Sequence, residues 1–155
     1  MDTVSETRLA LVHPTLAGLV RQMSDLLIAQ GVNVRVTQGL RTWDQQQALY
    51  DQGRTVPGKI VTNAKPGYSW HNFGLAVDLV PMLDTGPDWN DQHPTWKQML
   101  AAGQQVGLAE GALWHTFRDE PHFQWTGVLP VSPDNETRAL YQASGLDAVW
   151  AKAAS

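Results

Sequence analysis

At 155 residues, 43% hydrophobic and 17% charged, the chain has the composition of one soluble folding domain that needs no staples to hold its core, and it is too apolar for disorder. A net charge of −4 without a lysine or arginine run excludes the basic stripe that a nucleic-acid partner draws on. With no cysteine, disulfides, thiolate nucleophiles and thiolate metal sites are excluded together, so any metal must be held by nitrogen and oxygen.

The polar opening, residues 1–8, and the short apolar run 9–12, stopped by His13-Pro14, do not read as a signal peptide. No apolar run reaches the roughly 18 residues that span a bilayer, so the expectation is a protein made in the cytoplasm with no integral membrane segment. Leu16, Leu19, Val20, Met23, Leu26 and Leu27 recur at three- and four-residue intervals and predict a helix closing at Gly31. Val32, Val34 and Val36 alternate with Asn33, Arg35 and Thr37, the pattern of a half-buried strand. Thr42 followed by Gln45 is a capping box opening a second helix through Ala48, Leu49 and Tyr50 to near Gly53. Residues 54–67, rich in Gly, Pro and Lys, form a long irregular loop.

Leu75 to Val80 is a short apolar run broken by Asp78, a buried strand ended by Pro81. A polar loop over 84–94 precedes a third helix carrying Trp96, Met99, Leu100 and Val106 and stopping at Gly107. Residues 122–125 read as another strand, and the tail from Ser132 as one or two short helices with Leu140, Tyr141, Leu146, Val149 and Trp150 as the apolar face. Helices too few and loops too long for a doubly wound sheet give an α+β class, a small antiparallel sheet with helices packed on one side. The expected organisation is one domain over 1–155, with the helical tail 131–155 packed on it and no room for a second catalytic or binding module.

Chemistry concentrates in two places, Ser69-Trp70-His71-Asn72-Phe73-Gly74-Leu75-Ala76-Val77-Asp78 and Asp119-Glu120-Pro121-His122. Two imidazoles and one carboxylate are the ligand set of a catalytic zinc that keeps one position open for water, and a further carboxylate beside it serves as base. Asp78 is an ionisable group inside an apolar strand and needs a partner there, which a metal, backbone amides or an arginine would each supply. His71 lies seven residues before it, on the opposite face of any continuous strand, and Gly74 permits the turn that lets both face one cavity. His122 is the third candidate ligand. Strand alternation puts Glu120 on its face, whereas Asp119 needs an irregular backbone that Pro121 can impose. His13, His93 and His115 are read as non-ligands, the first two because each precedes a proline at a helix start.

Arg41 can hold a substrate carboxylate or an oxyanion through its fork of donors, or make a surface salt bridge. Gln38 and Ser69 are candidate substrate contacts, or caps of local turns. Trp70, Trp114 and Trp125 flank these elements and either line a groove or, more commonly, fill the core.

These residues resemble the zinc peptidases that cut bacterial cell-wall peptides, the D-alanyl-D-alanine carboxypeptidases and L-alanyl-D-glutamate endopeptidases of LAS type. That signature, Ser-x-His, two residues, then Gly-x-Ala-x-Asp, is met by Ser69, His71, Gly74, Ala76 and Asp78. The acid-x-x-His motif maps onto Asp119 and His122, in the Asp-x-Pro-His-Phe form frequent in the endopeptidase branch. The resemblance also matches Arg41, the Gln45-Gln46-Gln47-Ala48-Leu49-Tyr50 and Gly53-Arg54 stretches, and Trp114, and it runs from about Val32 to Trp125. One departure is Glu110-Gly111-Ala112-Leu113, where relatives often carry a tryptophan and paired glycines.

The resemblance implies the Hedgehog/DD-peptidase-like zinc peptidase fold, with Zn²⁺ held by His71, Asp78 and His122. It makes Asp119 the base, with Glu120 in reserve. Arg41 then acts on developing charge or a substrate carboxylate, and Ser69, Gln38 and Trp114 meet the substrate. The implied activity is hydrolysis of the L-Ala to D-Glu bond of the peptidoglycan stem peptide by a monomeric phage endolysin, released to the wall through a holin-type pore. A D-Ala-D-Ala carboxypeptidase is the near alternative, and a non-catalytic, zinc-stabilised wall-peptide binding module is the alternative of another class.

Overall fold

The computed structural model describes residues 1–111, 119 and 121–155. In chain order its elements are α1 (Thr3–Leu9), α2 (Pro14–Ile28), β1 (Asn33–Gln38), α3 (Trp43–Asp51), a 3₁₀ turn (Trp70–Phe73), β2 (Ala76–Leu83), β3 (Gly86–Pro87), α4 (Pro94–Gln105), β4 (Ala109–Glu110), β5 (His122–Gln124) and α5 (Asn135–Ala153). The class is α+β, as expected. Among the described residues no helix is long and apolar enough to cross a membrane. The chain divides into two compact units, residues 1–39 with 76–125 and residues 40–75 with 126–155.

The first unit holds an antiparallel sheet in the order β1-β2-β5-β4, with β3 beside the far end of β2. Cross-strand partners share a face, so Val34, Val36, Val77, Leu79 and Phe123 form one apolar side of the sheet. They join the core with Leu16, Val20, Met23 and Leu27 of α2 and Trp96, Met99 and Ala102 of α4. Burying the apolar stripe of each helix against these valines and leucines is what holds the unit together, at about 25 cal/mol per Å² of apolar surface removed from water. Both helices begin on a His-Pro pair in which proline takes an early helical position and histidine is the N-cap. His13 Nδ1 accepts the Thr15 N–H at 3.1 Å, and His93 Nδ1 accepts that of Thr95 at 3.4 Å.

Three features depart from the sequence expectation. α1 is not signalled by periodicity, because its seven residues bury only Ser5 and Leu9. Its function is to satisfy the edge of β1: the Val36 N–H donates to Ser5 Oγ at 2.9 Å, and Arg8 Nη1 donates to the Val36 carbonyl at 2.5 Å. Asp2 caps it, accepting from the Ser5 N–H at 2.9 Å and from Arg35 Nε at 2.6 Å. Burial opposes the Asp2 charge, but those hydrogen bonds and the guanidinium outweigh it and lower its pKa to about 2.

Second, β2 continues through Pro81, which pairs with Val34. In an antiparallel strand a residue's N–H and C=O point to the same side. The Pro81 carbonyl accepts the Asp88 N–H at 2.9 Å, so its missing N–H also points away from β1 and breaks no bond of that ladder. Third, the two-residue β3, inside the predicted loop over 84–94, and the two-residue β4, where no element is predicted, are both too short to leave a pattern.

In the second unit α3 carries the predicted capping box, with Thr42 Oγ1 accepting the Gln45 N–H at 3.1 Å and Gln45 Oε1 the Thr42 N–H at 2.9 Å. Residues 54–67 are irregular, as predicted, and are tied down by Arg54. Its guanidinium bonds the carbonyls of Tyr50 and Thr62 and the side chain of Asn63, and lies 4.0 Å from the Tyr50 ring centroid. Phe73 sits edge-on to Trp70, Trp43 and Tyr141, with ring centroids 5.6, 6.4 and 5.4 Å away. Trp70 Nε1 donates to the Val131 carbonyl at 2.8 Å and Trp150 Nε1 to that of Phe73 at 2.7 Å, so the tail is fastened by indole N–H groups. α5 is broken at Gly145, in keeping with the expectation of one or two helices.

Candidate metal centre

Asp78 and His122 face each other across the β2–β5 ladder, with Asp78 Oδ1 3.7 Å from His122 Nδ1. Both lie on the sheet face opposite Val77, Leu79 and Phe123, because successive side chains alternate. His122 is 4% exposed and the Asp78 side chain 19%. A β-bulge between Val36 and Gln38 leaves one extra residue on β1, so Gln38, not Thr37, is the partner of Asp78. Gln38, Asp78 and His122 thus form a row across three strands. Regular alternation over 32–37 predicts the other phase. The bulge is invisible in the sequence, since it arises from pairing with β2, where Thr37 Oγ1 donates to the Asp78 carbonyl at 3.3 Å.

His71 is carried by the 3₁₀ turn and is 3% exposed. Ser69 opens that turn, its Oγ accepting the His71 N–H at 3.3 Å and its carbonyl the Asn72 N–H at 2.9 Å. Gly74 closes it in the left-handed region, at φ 62° and ψ 28°, where any Cβ costs about 1–2 kcal/mol. The turn ends at Gly74 and β2 begins at Ala76, so His71 and Asp78 do not lie on one continuous strand.

One ligand atom each from His71, Asp78 and His122 lies within 4.8 Å of the others. Two imidazole nitrogens and a carboxylate oxygen make a donor set that could hold a metal ion. The electrostatics favour a cation here. Burial pulls the His122 pKa down, yet the hydrogen bond and charge of Asp78, the hydrogen bond of Gln124 and the charge of Asp119 outweigh it and raise it above the usual 6.5.

Asp119 precedes His122 by three residues, and the His122 N–H donates to the Asp119 carbonyl at 3.1 Å. The Asp119 N–H in turn donates to the Gly111 carbonyl at 3.1 Å. A Cβ on Gly111 would stand 2.4 Å from the Asp119 carbonyl oxygen and 2.9 Å from His122 Cβ. Only glycine allows this approach, which sets the Asp119 backbone beside the end of β4.

Arg41 is fixed by its neighbours within the second unit. Its N–H donates to the His71 carbonyl at 2.9 Å, and its Nη1 donates to Gln46 Oε1 at 3.0 Å. Gln46 is fully buried, and its Nε2 donates to the Ala64 carbonyl at 2.8 Å. Asn72 is 1% exposed; its amide donates to the Arg41 carbonyl at 3.1 Å while its Oδ1 accepts the Gly67 N–H at 3.0 Å. Sequence reading missed Gln46 and Asn72. The one available signal was a glutamine on the core side of a short helix directly after the arginine.

Of the flanking tryptophans, Trp70 is a buried packing residue and Trp125 lies over the His13 ring at 4.7 Å. Trp114, Glu120 and His115 lie outside the described residues.

The family model described as VanY, D-alanyl-D-alanine carboxypeptidase, matches residues 9–128. The chain is 34% identical over 125 residues to the peptidoglycan L-alanyl-D-glutamate endopeptidase CwlK of Bacillus subtilis (strain 168), covering 73% of this chain and 72% of that protein. It is 30% identical over 120 residues to the L-alanyl-D-glutamate peptidase of Escherichia phage T5, covering 74% and 81%. Among solved structures, the Serratia marcescens L-Ala D-Glu endopeptidase ChiX superposes with a TM-score of 0.60 at 27% identity, over 80% of this chain and 87% of that one. The LD-carboxypeptidase LdcB shares the fold, with a TM-score of 0.58 at 22% identity over 75% and 66%. Matched over most of its length and carrying both motifs in order, the chain belongs to the VanY family of D-alanyl-D-alanine carboxypeptidase-related peptidases.

Proposed function

We propose that the chain is a zinc-dependent peptidoglycan endopeptidase that hydrolyses the L-Ala to D-Glu bond of the stem peptide. The observation that carries this reading is the gathering of His71, Asp78 and His122 within 4.8 Å. The names of the relatives in Bacillus subtilis and phage T5 support the bond assignment over a carboxypeptidase. His71, Asp78 and His122 would hold the ion, which supplies Lewis-acid activation of water and of the scissile carbonyl.

Asp119 takes the proton of the attacking water and returns it to the leaving amine, a role worth about 10²–10⁴-fold in rate. Arg41, held by Gln46, acts through its guanidinium on the charge that develops on the carbonyl oxygen or on a substrate carboxylate. Gln38, in the row with Asp78, and Ser69, at the mouth of the His71 turn, meet the peptide. The phage T5 relative supports a lysin role, in which a monomer made inside the cell reaches the wall through a separate pore.

The test is digestion of purified stem peptides and peptidoglycan by wild-type, chelator-treated, zinc-restored and Asp119→Ala protein, with mass analysis of fragments. New L-Ala carboxyl and D-Glu amine ends that require both zinc and Asp119 are the expected result. Release of free D-alanine instead makes the chain a carboxypeptidase. Zinc binding with no cleavage of any stem peptide makes it a binding module.

A further inference from the structure

Gln124 has no part in the sequence motifs. β5 alternation puts it on the face of His122, and both are 4% exposed. Its Oε1 lies 2.9 Å from His122 Nε2, while the other ring nitrogen, Nδ1, is the one directed at Asp78. The cross-strand partner of Gln124 on β2 is Ala76, whose side chain is a methyl group. That alanine leaves room for a long amide side chain to lie along the sheet beside the histidine.

We propose that Gln124 is a positioning residue for the metal, its side-chain oxygen holding His122 in the tautomer that carries hydrogen on Nε2 so that Nδ1 keeps its lone pair toward Asp78. The inference rests on the reading of His122 as a ligand. A neutral imidazole has one donor and one acceptor nitrogen, and an oxygen fixed against one of them decides which is which. Were the amide reversed, its NH₂ would face Nε2 and the proton would move to Nδ1, where it blocks the metal. Glutamine suits the role because its side-chain oxygen accepts a hydrogen bond without itself ionising. Partners of this kind orient ligating histidines, and their loss costs about 10–100-fold in metal affinity.

Two measurements on the full chain test this. In metal-free wild-type protein, at a pH where His122 is neutral, long-range proton–nitrogen correlation of the ring is expected to show hydrogen on Nε2. Hydrogen on Nδ1 overturns the proposal, and this result needs no variant to fold. Competition titration of Zn²⁺ against a chromophoric chelator then compares wild type, Gln124→Met and Gln124→Glu, with thermal melts of each metal-free form. Gln124→Met is expected to bind zinc about 10–100-fold more weakly, and Gln124→Glu, which keeps the acceptor oxygen, at least as tightly as wild type. A folded Gln124→Met that binds zinc like wild type overturns the role of Gln124 and leaves the metal site standing. Wild type that binds no zinc overturns the metal reading itself, together with the role that depends on it.

Discussion

Two of the three candidate ligands are placed by a sheet and one by a turn, and the two devices fail in different ways. Asp78 and His122 owe their 3.7 Å approach to the β2–β5 register, which is enforced by Val77 and Phe123 on the reverse face. A one-residue slip would send both ligands into the core and both apolar residues out. His71 depends instead on a capped turn a few residues long, whose bonds run from Ser69, Trp70 and Gly74. The sheet device is costly to break and all-or-none. The turn device is local and can be weakened by degrees.

The largest expected effect is loss of the sheet pair itself. Asp78→Ala or His122→Ala should lower zinc affinity by more than about 100-fold, beyond the range of outer-sphere changes, in a competition titration with a chelator. The same pair sets a pH dependence. Because the folded pKa of His122 is raised above 6.5, the protonated pair stabilises the metal-free chain fully below the unfolded value, and that contribution is lost as pH rises through the folded value. Zinc needs the neutral ring, so the rise in Tm on adding zinc should grow with pH across that window. A flat profile would separate His122 from the metal.

Next comes the approach of Asp119 to β4. Gly111→Ala inserts a methyl 2.4 Å from the Asp119 carbonyl oxygen and should cost about 1–3 kcal/mol of stability. It should lower kcat more than it raises KM, read by thermal melts and stem-peptide kinetics. On the turn side, Gly74→Ala is expected to cost about 1–2 kcal/mol, part of it recovered when saturating zinc holds His71 in place, as melts with and without metal would report. The smallest effect is expected for Ser69→Ala. Losing its 3.3 Å cap to the His71 N–H should cost about 1 kcal/mol or less, with Ser69→Thr close to wild type. If Ser69→Ala proves as damaging as His122→Ala, the contrast between the two devices collapses.

The elements with strong periodicity or caps were legible. α2, α3 and α4 follow their apolar spacing and the Thr42–Gln45 box, and Gly74 announces the turn before β2. α1, β3 and β4 were not, because each is too short to carry a pattern and exists through what it pairs with, as Ser5 and Arg8 do with Val36. Pro81 misled for a related reason. A proline ends a strand only if its missing N–H falls on a paired side, and which side that is depends on the neighbours of β2. In the site, His71, Asp78, His122 and Asp119 stand out by residue type and motif. Gln46, Asn72 and Gln124 are amides of no distinctive spacing, and only burial beside Arg41 and His122 marks them.

The amino-acid sequence by itself determined the chemistry available, nitrogen and oxygen donors without thiolates, the order of the longer helices and strands, and the local turn that frees His71 from the strand of Asp78. These are short-range properties, fixed by side-chain type, periodicity and a glycine at a left-handed position. The tertiary structure alone decided which residues share a face. The bulge at Thr37 brings Gln38 opposite Asp78, the β2–β5 register brings His122 to the same row, and the 2.4 Å gap above Gly111 admits no side chain beside Asp119. Register and bulges result from many apolar contacts made at once across strands distant in the chain, and no window of sequence contains them.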